Sequence, residues 1–178
     1  CLDLSRLAEG IRRRRALLAV DATHASGVLR VPAELTDLTT SSSYKWMLAT
    51  HGLAPCYLSA RAEDQTTATS FGWRNLAVWP AQGAERDPDA DEKPMPERLE
   101  PGNPAMLVAM FLNRALETLL GIGTERIERH ARDLSEQVDA GLERMGYRVI
   151  SPKARAARSG NTCFLAEDAA GVQNRLAE

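Results

Sequence analysis

The stretch that decides the fold is Leu17-Leu18-Ala19-Val20-Asp21-Ala22-Thr23-His24. It contains most of an apolar run of strand length, Ala16–Val20, which ends at the carboxylate of Asp21. A second predicted strand, Leu35–Thr40, leads through the hydroxyl residues Ser41-Ser42-Ser43-Tyr44 to Lys45. Short apolar runs of this kind are typical of parallel strands covered by helices, and open α/β sheets place their chemistry at the carboxyl ends of such strands. We therefore expect Asp21 and Lys45 to lie together at one edge of a sheet.

A lysine beside an aspartate at such an edge is the pair that pyridoxal phosphate (PLP) requires. The lysine amine forms a Schiff base with the aldehyde, and the carboxylate keeps the ring nitrogen protonated so that the ring withdraws electrons. Taken alone, two such residues are more often solvated loop charges. The sequence around them decides between the two interpretations.

Three segments surround the pair: Val20–Gly27 (V-D-A-T-H-A-S-G), Asp37–Trp46 (D-L-T-T-S-S-S-Y-K-W) and His51–Ser59 (H-G-L-A-P-C-Y-L-S). Together they resemble the class V aminotransferase and cysteine desulfurase superfamily, which has PLP fold type I. The D-x-x-H and S-Y-K elements are most similar to its kynureninase-like branch. The resemblance covers nearly the whole chain, and it corresponds to the second half of a family member.

Apolar periodicity and capping residues predict the remaining elements. They are a first helix at 2–15, a third strand at 54–59, an exposed loop from Gln82 to Glu97, a mostly buried helix opening at Asn103-Pro104, a helix from Thr124 to Met145 ended by Gly146, strands at 147–150 and 161–166, and a helix at 168–178. The last three elements read as a βαβ or ferredoxin-like unit. We therefore predict an α/β fold of PLP fold type I.

The resemblance implies two parts of that fold. Residues 1–103 are expected to be part of the large, doubly wound and mainly parallel-sheet domain that binds PLP. Residues 104–178 are expected to be a linking helix and part of the smaller α/β C-terminal domain. Leu17 and Leu18, on the first strand, are expected to be covered by residues outside this chain, because an isolated sheet would expose an apolar edge and face.

The resemblance also implies the site residues. Lys45 is expected to be the catalytic lysine that carries PLP, and Asp21 the partner of the ring nitrogen. His24 matches a position beside the cofactor ring and its phenolic oxygen, where a histidine can tune or relay protons. Ser42 and Tyr44 match positions that donate hydrogen bonds to the cofactor phosphate. His24 also has a plainer explanation, as a loop histidine that only packs.

Two further residues match elements that reach a cofactor phosphate or a substrate across a subunit boundary in the family. Trp73 lies in a G-W element, and Asn103 lies in an element similar to S-N-P-P. Asn103 before a proline is equally well explained as a helix N-cap. His51 follows the lysine closely, and a turn histidine is the simpler interpretation. Arg158, in a family-like R-S-G turn, is interpreted as structural.

The resemblance implies a PLP-dependent enzyme that acts on an amino acid through an external aldimine. A kynureninase-like C–C or C–S lyase ranks first, and a class V aminotransferase or epimerase is the alternative. A catalytically silent dimerisation or scaffold fragment of the same fold is the competing interpretation. Because the family's phosphate-binding turn and ring-stacking aromatic have no counterpart here, we expect a homodimer, a second chain carrying the N-terminal half, or both.

Composition limits the other partners. With 22 basic and 24 acidic side chains, the chain has no net field to attract nucleic acid or an anionic membrane, and neither is expected as a partner. Three cysteines, at positions 1, 56 and 163, form no metal-ligand pattern, and their odd number favours a reducing cytoplasm. Cys163 falls inside a predicted strand and is expected to be a small buried residue. We predict no metal site.

Overall fold

A computed structural model describes residues 1–78 and 91–177. Its main sheet contains β1 (Ala19–Asp21), β2 (Leu38–Thr40) and β3 (Cys56–Leu58) in the order β1-β2-β3. β1 and β2 are parallel, and β2 and β3 are antiparallel. The three predicted strands are confirmed in place, each shorter than expected. The loop predicted from Gln82 falls mostly outside the described residues.

Helices flank this sheet and lead into a second, two-stranded one. The helices are α1 (Leu4–Arg13), α2 (Ala60–Glu63), α3 (Met106–Ile122), α4 (Thr124–Arg144) and α5 (Ala169–Leu176). The second sheet pairs β4 (Arg148–Val149) with β5 (Phe164–Leu165). Short 3-10 turns lie at Ala33–Leu35, Trp73–Asn75, Glu97–Leu99 and Arg155–Ala157. This mixed α/β architecture is the predicted fold class.

The ends of α4 show where capping rules succeed and fail. Gly146, predicted to end the helix, has φ of +85° and its N–H bonds to the Glu143 carbonyl, as in a glycine C-cap. This prediction is confirmed. At the other end, Gly123 rather than Thr124 occupies the N-cap position, and Thr124 is already helical.

Three expectations about the second half of the chain are wrong. Asn103 does not cap a helix, because α3 begins at Met106 with Ala105 as its N-cap and no side-chain capping bond. Of the two alternatives for the last elements, the βαβ unit fails because β4 and β5 are antiparallel and joined without a long helix, and the ferredoxin-like unit stays a prediction. Cys163 is exposed and lies one residue before β5 rather than buried within it.

The predicted burial of α3 is also wrong within this chain. Only Leu112 and Leu119 are buried, whereas Met106, Met110 and Phe111 are each more than half exposed. Among the described helices none is by itself long and apolar enough to cross a membrane, and α3 with α4, bent by 79° at their junction, meets those criteria only as a pair.

Asp37 fixes the start of the main sheet. Its buried carboxylate accepts hydrogen bonds from the Leu18 N–H at 2.7 Å and from Arg61 Nε at 2.9 Å. Hydrogen bonding to Arg61 is the largest of the effects that lower the pKa of Asp37, and burial opposes it. Because this one carboxylate joins the start of β1, the start of β2 and α2, it helps to fix the register of β1 against β2 and so the relative position of their carboxyl ends.

Candidate active site

Asp21, the last residue of β1, is held by the turn that follows it. Its Oδ1 accepts a hydrogen bond from the Thr23 N–H at 2.9 Å. Thr23 Oγ1 in turn accepts from the Ser42 N–H at 2.9 Å, so the loops after β1 and β2 are joined directly. Hydrogen bonds from Thr23 chiefly lower the pKa of Asp21, and attraction to His24 and Lys45 adds to them against a desolvation cost. The carboxylate is therefore ionised at neutral pH.

The structure brings Lys45 to the same edge of the sheet. Its Nζ lies 2.7 Å from His24 Nε2 and 5.6 Å from the centroid of the Tyr44 ring. The Tyr44 ring stacks on His51, with ring centroids 4.0 Å apart and planes 21° apart. Asp21, His24, Tyr44 and Lys45 thus form one cluster, and His51 contacts it through Tyr44.

Hydrogen bonds of Ser43 anchor the turn that carries Lys45. Ser43 is fully buried, and its hydroxyl lies 2.8 Å from the Thr50 carbonyl and 2.9 Å from the Leu53 carbonyl. The Ala49 N–H closes the turn on the Ser43 carbonyl. Ser42 is placed differently, because within the described residues its hydroxyl has no hydrogen-bond partner. That hydroxyl is available to a ligand.

Gly27 is a residue that the sequence motifs did not single out. It has φ of +97°, and a Cβ at this position would lie 2.3 Å from the Trp46 carbonyl oxygen and 2.8 Å from the Met47 N. Only glycine permits both the backbone conformation and this approach. The loop after β1 therefore packs directly on the turn that contains Lys45.

Replacing Gly27 by alanine is expected to lower the free energy of unfolding by about 2–4 kcal/mol, from overpacking added to a left-handed backbone. Gly146→Ala is the matched control, because Gly146 also has positive φ but its added Cβ would meet nothing within 4 Å. The control should lose only about 1 kcal/mol. Urea unfolding of both variants measures the difference, and equal losses would show that the contact with Trp46 is unimportant.

Trp73 and Asn103 lie in two segments that the structure joins to each other. A Cβ on Gly72 would lie 2.1 Å from the Pro101 carbonyl oxygen, so these segments are in close contact. Asn75, which is fully buried, holds the first segment by accepting from the Gly72 N–H at 2.6 Å and by donating to the Arg98 carbonyl. The guanidinium of Arg74 lies 5.6 Å from the Trp73 ring centroid. Neither residue is placed at Lys45 by these contacts.

Asp21 also lines a cavity of about 520 Å³. Its walls are the start of α1, the end of β1, the loop from Ala22 to Pro32 and part of α4, and Lys45 and His24 are not among them. Across residues 1–78 and 91–177, no three histidine, cysteine or acidic side chains are grouped as metal ligands.

Comparison with known proteins identifies a family for the chain. Residues 1–174 match the class V aminotransferase family. The chain belongs to this family. Enzymes of the class V aminotransferase family use PLP. No curated protein sequence matches the chain significantly.

Several solved structures have a similar fold. A cysteine desulfurase from Thermococcus onnurineus NA1 is 20% identical, with a TM-score of 0.80 over 98% of this chain and 44% of that one. An alanine–glyoxylate aminotransferase from Nostoc sp. is 20% identical, with a TM-score of 0.70 over 98% and 46%. A C-DES mutant with glycine covalently linked to its PLP cofactor is 18% identical, with a TM-score of 0.83 over 99% and 47%. The chain thus spans less than half the length of these structures.

The residues of the cluster fit the cofactor of class V aminotransferases. A ring nitrogen needs an ionised carboxylate, and the lowered pKa of Asp21 provides one. An aldehyde needs an amine, which Lys45 presents beside His24. A phosphate accepts neutral donors, and the Ser42 hydroxyl has no competing partner within the described chain.

Proposed function

We propose that this chain supplies the cofactor-holding part of a PLP-dependent enzyme that acts on an amino acid. The observation that supports the proposal best is the 2.7 Å contact between Lys45 Nζ and His24 Nε2, close to an ionised Asp21, at the carboxyl ends of the parallel strands β1 and β2. Membership of the class V aminotransferase family supports it independently. The alternative interpretation of Lys45, a solvated loop lysine, does not explain why His24 and Asp21 lie beside it.

PLP, when bound, supplies an aldehyde that captures amino groups and a ring that withdraws electrons from the substrate Cα. Asp21 would hold a proton at the ring nitrogen, and Lys45 Nζ would carry a proton to or from Cα as general acid and base. Ser42 and Tyr44 hydroxyls would donate to the phosphate. Trp73 and Asn103 are proposed to act on the site of a neighbouring subunit.

We rank a kynureninase-like C–C or C–S lyase first, with a class V aminotransferase or epimerase as the alternative. The lyase is supported by the D-x-x-H and S-Y-K elements and by the structural likeness to a cystine C–S lyase. The aminotransferase is supported by the likeness to alanine–glyoxylate and ureidoglycine–glyoxylate aminotransferases. A panel of amino acids separates the two, because only an aminotransferase needs a stoichiometric 2-oxo acid acceptor.

Borohydride reduction tests the proposal as a whole. The chain has three lysines, Lys45, Lys93 and Lys153, so peptide mapping after reduction with PLP gives an unambiguous answer. We expect the reduced cofactor on Lys45. A colourless protein with no adduct would favour the silent scaffold, and an adduct on another lysine would show that Lys45 is assigned wrongly.

Replacing Asp21 by asparagine should leave PLP bound but lower catalysis by about 100-fold or more, because a neutral amide does not hold a proton at the ring nitrogen. Exchange of the substrate Cα proton for deuterium, followed by NMR, measures this without knowledge of the full reaction. The bound cofactor, measured by absorbance, is the control. Unchanged exchange rates would contradict the electron-withdrawing role of Asp21.

We also propose that the chain works with further polypeptide, as a homodimer, with a chain equivalent to the family's N-terminal half, or with both. Its accessible surface is 12,549 Å², whereas a compact monomer of 19.5 kDa exposes about 8,500 Å². The excess of about 4,000 Å² is surface that further polypeptide can cover. Leu17, 39% exposed on the approach to β1, belongs to this surface. A stable monomer of this chain that binds PLP in sedimentation experiments would contradict the proposal.

Two further expectations stay predictions. The division into residues 1–103 and 104–178 is supported by the start of α3 at Met106. A cytoplasmic location is supported by three free cysteines that are all exposed, because exposed thiols persist in reducing compartments.

A further inference from the structure

We propose that His24 is the proton acceptor of Lys45, and that it makes this amine reactive toward aldehydes in general, before a substrate amino acid is present. The inference rests on the function proposed for Lys45. It adds a role for His24 that is independent of any contact between this residue and the cofactor ring.

The hydrogen-bonding capacity of the two groups fixes the direction of their contact. A lysine ammonium has three donors and no acceptor, so His24 Nε2 must present its lone pair to Lys45 Nζ across the 2.7 Å contact. The single proton of a neutral imidazole is then on Nδ1. The contact is at the short end for a nitrogen donor, as expected when the donor is charged. A proton can therefore pass from Nζ to Nε2 along one hydrogen bond.

The transfer leaves the positive charge close to Asp21. When the proton moves, positive charge passes from Lys45 to His24, and both positions attract the Asp21 carboxylate. Hydrogen bonds from Thr23 keep that carboxylate ionised, with the attraction to His24 and Lys45 as a smaller contribution. The other group facing Nζ is the Tyr44 ring, whose centroid is 5.6 Å away. The transfer thus keeps the positive charge beside the same anion.

The covalent step balances without any further reagent. The Nζ–H bond of the Lys45 ammonium breaks and its proton goes to His24 Nε2. The lone pair left on Nζ forms the C–N bond with the aldehyde carbon, and the carbonyl π electrons move to oxygen, which takes the proton back from His24. The carbinolamine then loses one water molecule and becomes the protonated imine.

His51 provides a matched comparison. It stacks on Tyr44, which is next to Lys45 in sequence, but its contact with the lysine is indirect. If a nearby histidine were enough to activate the amine, His24 and His51 would act alike. The geometry predicts that only His24 does.

The experiment uses propionaldehyde and cyanoborohydride at limiting concentration on the protein without PLP, with labelling of each lysine followed by mass spectrometry between about pH 6 and pH 9. At neutral pH, Lys45 should react at least about 10-fold faster than Lys93 or Lys153. His24→Gln keeps an acceptor oxygen but cannot take a proton, and should remove this advantage. His51→Gln should retain it.

The pH profile separates proton transfer from positioning. Because a protonated imidazole has no lone pair with which to accept a proton, the wild-type labelling advantage of Lys45 should disappear at low pH, whereas His24→Gln should show no such pH dependence. Lys45 labelling that is unchanged in His24→Gln would overturn the inference, even if PLP binds normally. Fast, His24-dependent labelling in a protein that does not bind PLP would support the inference and overturn the proposed function instead.

Discussion

The Lys45→Ala protein is expected to fold normally and to retain no PLP after borohydride reduction. Its amine is proposed to be the covalent attachment point, and the two other lysines of the chain are elsewhere: Lys153 pairs with Glu143, and Lys93 donates its backbone N–H to Asn75. Loss of one half-buried charged side chain removes little apolar contact, so stability should change by less than about 1 kcal/mol.

Lys153→Ala is the control for this result, because it also removes a lysine but one that is exposed and paired with Glu143. The control should trap PLP as the wild type does. Mass spectrometry of the reduced protein and urea unfolding give the two measurements. Retention of reduced PLP in Lys45→Ala on a different lysine would disprove the assignment.

The second large effect is expected from Arg158→Ala, which should lower the free energy of unfolding by about 3–5 kcal/mol. Arg158 and Asp139 form a buried ion pair at 2.7 Å, with side chains only 3% and 6% exposed. Arg158 also donates to the Ser135 hydroxyl and the Pro152 carbonyl, and Thr162 donates to the second oxygen of Asp139. Removing the arginine leaves a buried carboxylate without its counter-ion.

Arg155→Ala is the matched control, because Arg155 pairs with Asp133 and Glu136 on α4, the helix that also carries Asp139, but is 43% exposed. It should lose less than about 1 kcal/mol. Hydrogen bonding to Arg158 chiefly lowers the pKa of Asp139, so this stabilisation is present above the ordinary aspartate pKa and is lost as pH falls through the lowered value. The difference in unfolding free energy between the wild type and Arg158→Ala should therefore become smaller in acid. Equal losses of unfolding free energy in Arg158→Ala and Arg155→Ala would contradict the argument from the buried ion pair.

Local sequence patterns predicted the part of the site that local structure determines. Asp21 and Lys45 each follow a short apolar strand, and parallel pairing of those strands is enough to bring their ends together. The same reasoning located β3 and the end of α4 at Gly146, because turn and cap residues carry a local conformational signal.

What the sequence did not predict depends on contacts between distant segments. Nothing local distinguishes Gly27 as the residue against which the Trp46 carbonyl packs, or Asn75 as the buried joint between two segments. Asn103 was placed at a helix start because an Asn before a proline suits an N-cap, yet α3 begins three residues later, at Met106. The apolar pattern of α3 predicted that the helix is buried, but an apolar pattern does not specify whether this chain or another polypeptide buries it.

The position of Trp46, between Lys45 and Gly160, affects which substitutions the protein can accept during evolution. It directly follows Lys45, and a Cβ on Gly160, in the segment between Arg158 and β5, would lie 3.9 Å from its indole ring. An alanine at position 160 would make an ordinary van der Waals contact with this ring, and only a larger side chain would crowd the residue adjacent to the proposed reactive amine. Larger substitutions at position 160 are therefore a route by which evolution could adjust the orientation of Lys45 while every group that touches the ligand stays the same.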